Sequence, residues 1–125
     1  MNKVMTLLLL GIVLASFVLS PFDDVVSAIK QGNVNTLSKY LDNMVEITLA
    51  DKSNSYSKAQ AEVILKQFFE THPVKSFEIV HKGGEDSKFG IGNLVTGNGA
   101  YRITFFLRQK GNNYVLQELR FENSN

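Results

Sequence analysis

The sequence predicts one α+β domain, with helices at the front and a curved antiparallel sheet behind them. Two observations carry this class. Between residues 22 and 72, apolar side chains recur every three or four positions in three stretches, the period of an amphipathic helix. Beyond residue 76 the period drops to two in four successive stretches, 77–82, 89–96, 100–110 and 114–122. Helices that come first and strands that come last do not alternate, so parallel βαβ units are excluded and a layered α+β arrangement follows.

Phe22, Val25, Val26 and Ile29 form the apolar face of the first helix, and Asp23 and Asp24 suit the positive end of its dipole. Gly32-Asn33 ends it. Val34, Leu37, Tyr40 and Leu41 continue the helical spacing, which gives a second short helix packed as a hairpin on the first. Val45, Ile47 and Leu49 then alternate with Glu46, Thr48 and Ala50, the pattern of a strand with one buried face. Residues 51–56 are small and polar and read as a connection.

Ser57 and Gln60 make a capping box for a third, longer helix, whose apolar face carries Ala61, Ile64, Leu65, Phe68 and Phe69. Thr71-His72-Pro73 stops it, with His72 placed as a cation at the helix C-terminus. Gly83-Gly84, Gly97-Asn98-Gly99 and Gly111-Asn112-Asn113 supply the turns of the following meander. Gly90 and Gly92, two apart in one strand, share a face where missing side chains permit a bend or bulge. The sheet is expected to wrap around the third helix.

Charge and composition narrow the function classes. The chain has 13 Lys plus Arg against 12 Asp plus Glu, and residues 1–20 hold only Lys3, so the remainder carries 12 of each. A domain without net charge lacks the basic excess that attracts phosphate backbones or anionic lipid, which argues against nucleic-acid and membrane-surface roles. There is no cysteine, hence no disulfide, thiolate ligand or cysteine nucleophile. The two histidines, His72 and His81, lie nine positions apart on different elements without acidic partners at helical spacing, so no metal site is expected. No phosphate-binding glycine motif is present, and no cofactor is expected.

Residues 1–20 read as an export signal: a short n-region with Lys3, then an uncharged stretch with Leu7, Leu8, Leu9 and Leu10 at its centre. The same stretch is long enough to serve as an uncleaved membrane anchor. Val18 and Ser20 provide tolerable side chains for a cut after residue 20, but Pro21 would then follow the scissile bond. Either reading places residues 21–125, the single domain, in the periplasm or outside the cell.

The order of elements resembles the cone-shaped fold of the nuclear transport factor two-like superfamily, also called cystatin-like or ketosteroid-isomerase-like, over residues 22–122. Its details resemble an uncharacterised family of short exported bacterial proteins with a domain of unknown function. The segments that carry this are Ala28-Ile29-Lys30-Gln31-Gly32-Asn33, Tyr56-Ser57-Lys58-Ala59-Gln60-Ala61, Phe68-Phe69, residues 77–81, Ile91-Gly92 and Tyr101-Arg102. The resemblance implies a fold and an export route. It implies no mechanism, because the scaffold hosts enzymes and non-enzymes alike. The Asp base with Tyr and protonated Asp donors of ketosteroid isomerases has no counterpart that can be placed here.

Unbroken alternation would put Phe77, Ile79 and His81, then Tyr101, Ile103, Phe105 and Leu107, then Val115, Gln117, Leu119 and Phe121 on the concave faces. A ligand pocket inside the cone would then be lined by Tyr40, Phe69, His81, Asn93, Tyr101 and Gln117. The opposite face would show Val80, Leu94, Phe106 and Leu116 among charged residues, a surface for a protein partner or for homodimerisation. The expected function is a non-catalytic exported binding module, with a small apolar ligand in the cone, a partner on the outer sheet face, or both. The alternative is a small enzyme of isomerase, dehydratase or hydrolase type, with His81 as acid or base and Tyr101 as hydrogen-bond donor.

Overall fold

The computed structural model describes residues 18–124; the leader assigned to residues 1–20 lies mostly outside them. Helix α1 (Pro21–Gln31) starts behind Ser20, whose hydroxyl accepts the Asp23 N–H, and closes at Gly32. Gly32 has φ 63°, a left-handed conformation that glycine adopts without a Cβ clash. Helix α2 (Val34–Ser38) is one turn shorter than its apolar spacing suggests. Tyr40 and Leu41 fall outside it: the Tyr40 carbonyl accepts the Leu116 N–H at 2.6 Å, and Leu41 opens strand β1 (Leu41–Leu49). Pairing with the sheet outweighs another weak helical turn there.

A further difference is β2 (Lys52–Ser57), which occupies the stretch read as a connection. It forms a hairpin with β1 from Met44↔Ser57 to Leu49↔Lys52. Residues 52–55 are exposed, so they carry no buried face that alternation could reveal. Helix α3 (Lys58–Thr71) keeps the expected capping box, with the Ser57 side chain on the Gln60 N–H and the Gln60 side chain on the Ser57 N–H. His72 follows as its C-cap.

Strands β3 (Val74–Gly83), β4 (Ser87–Thr96), β5 (Gly99–Lys110) and β6 (Asn113–Asn123) form the expected meander. The six strands make one sheet in the order β2-β1-β6-β5-β4-β3, antiparallel except where β1 runs parallel to β6. The helices cover its concave face. From α1, Phe22 meets Phe105 on β5 at 5.2 Å between ring centroids; from α3, Phe68 meets Phe121 on β6 at 4.5 Å. Phe77, Leu94, Ile103, Leu107, Leu116 and Leu119 complete the interior, each buried.

Two of the residues assigned to the outer face are thus core residues. Leu94 is buried because it shares the inward parity of Gly90 and Gly92, and it pairs with Tyr101. Leu116 is buried because β6 bulges: Phe106 pairs with Glu118 but Leu107 pairs with Leu116, leaving Gln117 as an extra residue. One inserted residue reverses every side chain on one side of it. Tyr114 and Leu116 therefore point inward together with Leu119 and Phe121.

Candidate functional site

The same device repositions the polar residues expected inside the cone. In β3 the register shifts between Ile79, which pairs with Gly92, and His81, which pairs with Ile91, so Val80 is the extra residue. Gly92 belongs to the concave face and Ile91 to the convex one, and His81 goes with Ile91 to the outside. His81 is exposed. Gln117, at the β6 bulge, also leaves the interior and donates from Nε2 to Asp42 Oδ2 at 3.2 Å. Asn93 alternates with buried Gly92 and Leu94 and is exposed.

Tyr40 is half-buried beside α1, where its hydroxyl donates to Asp24 Oδ2 at 2.6 Å. Burial first, then this bond and the Asp24 charge, push the Tyr40 phenol up to about 12. Phe69 is buried in the core. Of the six residues proposed to line one pocket, Phe69 lies in the core and Tyr40 and Tyr101 pack against it, all three as packing. The Tyr101 ring stands edge-on to Phe68 at 5.4 Å and to His72 at 5.5 Å, while His72 stacks on Phe68 at 4.2 Å. The His72 ring nitrogen Nδ1 lies 2.9 Å from both the Phe68 carbonyl and the Thr71 hydroxyl. His81 and Tyr101 consequently lie on opposite faces of the sheet and cannot act on one substrate as the enzymatic alternative requires.

The cone is filled by rings. A Cβ built on Gly90 would stand 2.6 Å from Cζ of Phe105, and one on Gly92 would stand 2.5 Å from Cε1 of Phe77. The two glycines are the floor on which those rings lie, which accounts for their spacing more directly than a bend does.

The outer face carries the more distinctive arrangement. Four strands contribute one side chain each to a continuous ladder. His81 on β3 meets Phe89 on β4 at 5.6 Å, Phe89 meets Phe106 on β5 at 6.3 Å, and the Arg120 guanidinium on β6 lies 5.9 Å from the Phe106 ring. Glu118 Oε2 accepts from Arg120 Nε at 2.5 Å, and this bond holds the guanidinium pKa above its usual value. Val80 and Phe106 remain exposed, at 54% and 36%. Beside the ladder, Met44, Glu46, Ser55, Phe106, Arg108, Gln117 and Glu118 line an open cleft. At its end, hydrogen bonds from Gln117, the Asn43 N–H and Lys110 hold the Asp42 carboxyl below its ordinary range.

His81 has no hydrogen-bonded acid among the described residues, and among them no group of three His, Asp or Glu side chains converges on a point that could hold a metal. No helix among them is long and apolar enough to cross a membrane. The ladder places the half-exposed rings of Phe89 and Phe106 beside the Arg120–Glu118 ion pair.

Helices folded into the hollow of a strongly curved sheet define a nuclear transport factor two-like domain. A designed protein of that type, with a long sheet, shares the fold at a TM-score of 0.62 and 15% identity, over 79% of this chain and 94% of its own. Within that class the chain belongs to the family described as domain of unknown function DUF4783, whose model matches residues 22–122. The crystal structure of a family member from Bacteroides uniformis is 36% identical, with a TM-score of 0.82, over 85% of this chain and 99% of that one. One from Bacteroides ovatus is 32% identical, with a TM-score of 0.78, over 82% and 94%. No curated protein matches the chain.

Proposed function

We propose that the domain is an exported, non-catalytic binding module that works through the outer face of its sheet and pairs there with a second copy of itself. The observation that carries this reading is the His81–Phe89–Phe106–Arg120 ladder, which is open to solvent while the cone beneath it is packed with rings. A twofold interface brings a surface against itself, so its charges must be self-complementary. This face carries both signs in support: Glu46, Glu118 and Glu122 stand on β1 and β6, Arg102 and Arg108 on the neighbouring β5 with Phe106 between them, and Arg120 on β6 is bonded to Glu118. Glu122 and Arg102 are cross-strand partners, as are Glu118 and Phe106.

Light scattering on the purified domain across a range of concentrations tests the reading. Wild type is expected to reach the mass of a dimer and Phe106→Glu to remain monomeric, because the substitution replaces an apolar ring at the centre of the interface by a carboxylate that association would have to strip of water. A wild-type monomer at every concentration overturns self-pairing. A Phe106→Glu dimer moves the interface off this face.

A further inference from the structure

Resting on the self-pairing reading above, we propose that the twofold axis of the pair runs along the strands between β4 and β5, so that Phe89 of each copy stacks on the partner's Phe106 and His81 meets the partner's Arg120. The juxtaposition that carries this is the bowed outline of the His81–Phe89–Phe106–Arg120 ladder, whose two halves are mirror images across that line.

Cross-strand register fixes this outline. Phe89 is the direct partner of Phe106, so the two rings share one row across the sheet. His81 pairs with Ile91, Ile91 with Thr104 and Thr104 with Arg120, so the two ends of the ladder share the next row. Strands about 4.8 Å apart put β4 and β5 each about 2.4 Å, and β3 and β6 each about 7 Å, from a line midway between β4 and β5. Across that line Phe89 mirrors Phe106, Ile91 mirrors Thr104 and His81 mirrors Arg120.

A twofold axis that brings a face against itself lies in the plane of the interface and sets each position against its mirror image. An axis along the strands therefore lays both rows of the bow on those of the partner, with the strands of the two sheets near alignment, one of the two ways in which sheets pack face to face. An axis along the ladder would turn the bow over and draw its ends away from the partner's. With the first axis, Phe89 and Phe106 form a cluster of four rings around the twofold, beside Ile91 and Thr104. Arg120 gives its Nε–H to Glu118 at 2.5 Å, which leaves its terminal N–H groups to donate to a ring nitrogen of the partner's His81. One row further out, Glu122 comes opposite the partner's Glu78, and Arg102, the cross-strand partner of Glu122, stands one strand from both.

The sequence has no cysteine, so single introduced thiols read the pairing directly. His81→Cys and Arg120→Cys, both at exposed positions, are mixed as dilute monomers, concentrated and treated with a short bismaleimide. Glu78→Cys with Glu122→Cys, also exposed, reads the same axis without altering the ladder. Copies of any one of these residues would stand about 14 Å apart along the interface, whereas the two members of each pair would face each other. The expected result is covalent dimer from each mixture and none from any variant alone. Covalent dimer from His81→Cys alone would place the axis along the ladder and overturn the proposal. Wild type that dimerises by light scattering while neither mixture gives covalent dimer also overturns it, and leaves self-pairing standing. Wild type that is monomeric at every concentration overturns the self-pairing reading itself.

Discussion

Phe105 occupies the space that a side chain at residue 90 would need: Cζ of its ring lies 2.6 Å from the position of a Cβ on Gly90, and Phe22 lies 3.1 Å away on the other side. Phe105 is fully buried and packed on Phe22, so its ring has nowhere to retreat. Gly90→Ala is therefore expected to destabilise the domain by about 1–3 kcal/mol, the usual cost of overpacking a core. Urea denaturation of the single variant and of Gly90→Ala with Phe105→Leu checks this. The second substitution should recover part of the loss, and strictly additive effects would mean the two residues do not share the space.

The turn between β1 and β2 offers the opposite case, a gain in stability. Ala50 has φ 58°, in the left-handed region, where the Cβ of an L-residue crowds the neighbouring carbonyl. Its N–H is tied to the Phe121 carbonyl at 2.8 Å, which holds the strained conformation in place. Ala50→Gly should relieve about 1 kcal/mol of strain, partly offset by the greater freedom of glycine in the unfolded chain. Thermal melts should show a Tm at or above wild type. A clear fall would show that the Ala50 methyl contributes packing that outweighs the strain.

Alkaline pH reports on the link between α1 and the start of β1. In the fold the Tyr40 phenol ionises near 12, chiefly because of burial and then because it donates to Asp24. In the unfolded chain it ionises at about 10. The folded pKa is raised, so this stabilising contribution is complete below pH 10 and is lost as the pH climbs through about 12. Tyr40→Phe should remove that last step from the phenolate absorbance titration and cost about 1 kcal/mol at neutral pH, since the site is only half-buried. A titration identical to wild type would mean that another tyrosine is responsible.

Much of this architecture is legible in the residues, and the parts that are not share a physical reason. The capping box Ser57-Gln60, the stop at Thr71-His72-Pro73 and the glycine-bearing turns are local signals, set by chemistry a few residues apart. Strand β2 escapes because its stabilisation comes from pairing with β1, while its mostly exposed Lys-Ser-Asn-Ser-Tyr-Ser stretch carries no alternation. His81 and Gln117 are misplaced by alternation because a bulge adds one residue without any compositional mark, and each follows a bulge or sits in one. Leu94 is different: its inward direction follows from its parity with Gly90 and Gly92. A pocket drawn from the unbroken pattern thus gathers residues that the bulges separate. The ladder on the outer face gains His81 through the β3 bulge, while Phe106 and Arg120 lie where the alternation of β5 and β6 puts them.

Phe105 and Phe106 are adjacent in β5 and point to opposite faces, so the pair isolates burial from surface chemistry. Phe105 is fully buried between Phe22, Gly90 and Leu119. A carboxylate there would have no partner in an apolar interior and would also leave a cavity, effects that together exceed the stability of a small domain. Phe106 keeps 36% of its surface exposed and faces Arg120, so a carboxylate in its place stays hydrated and meets a cation. Phe105→Glu is therefore expected to unfold the domain, whereas Phe106→Glu should shift its thermal midpoint by only a few degrees, corresponding to about 1 kcal/mol for the lost ring contacts with Phe89 and Arg120. Circular dichroism melts of the two variants, run at a concentration where wild type is monomeric, decide the matter. Equal unfolding by both would show that the outer face is covered as fully as the inner one, and two folded variants would show that β5 does not hold this register.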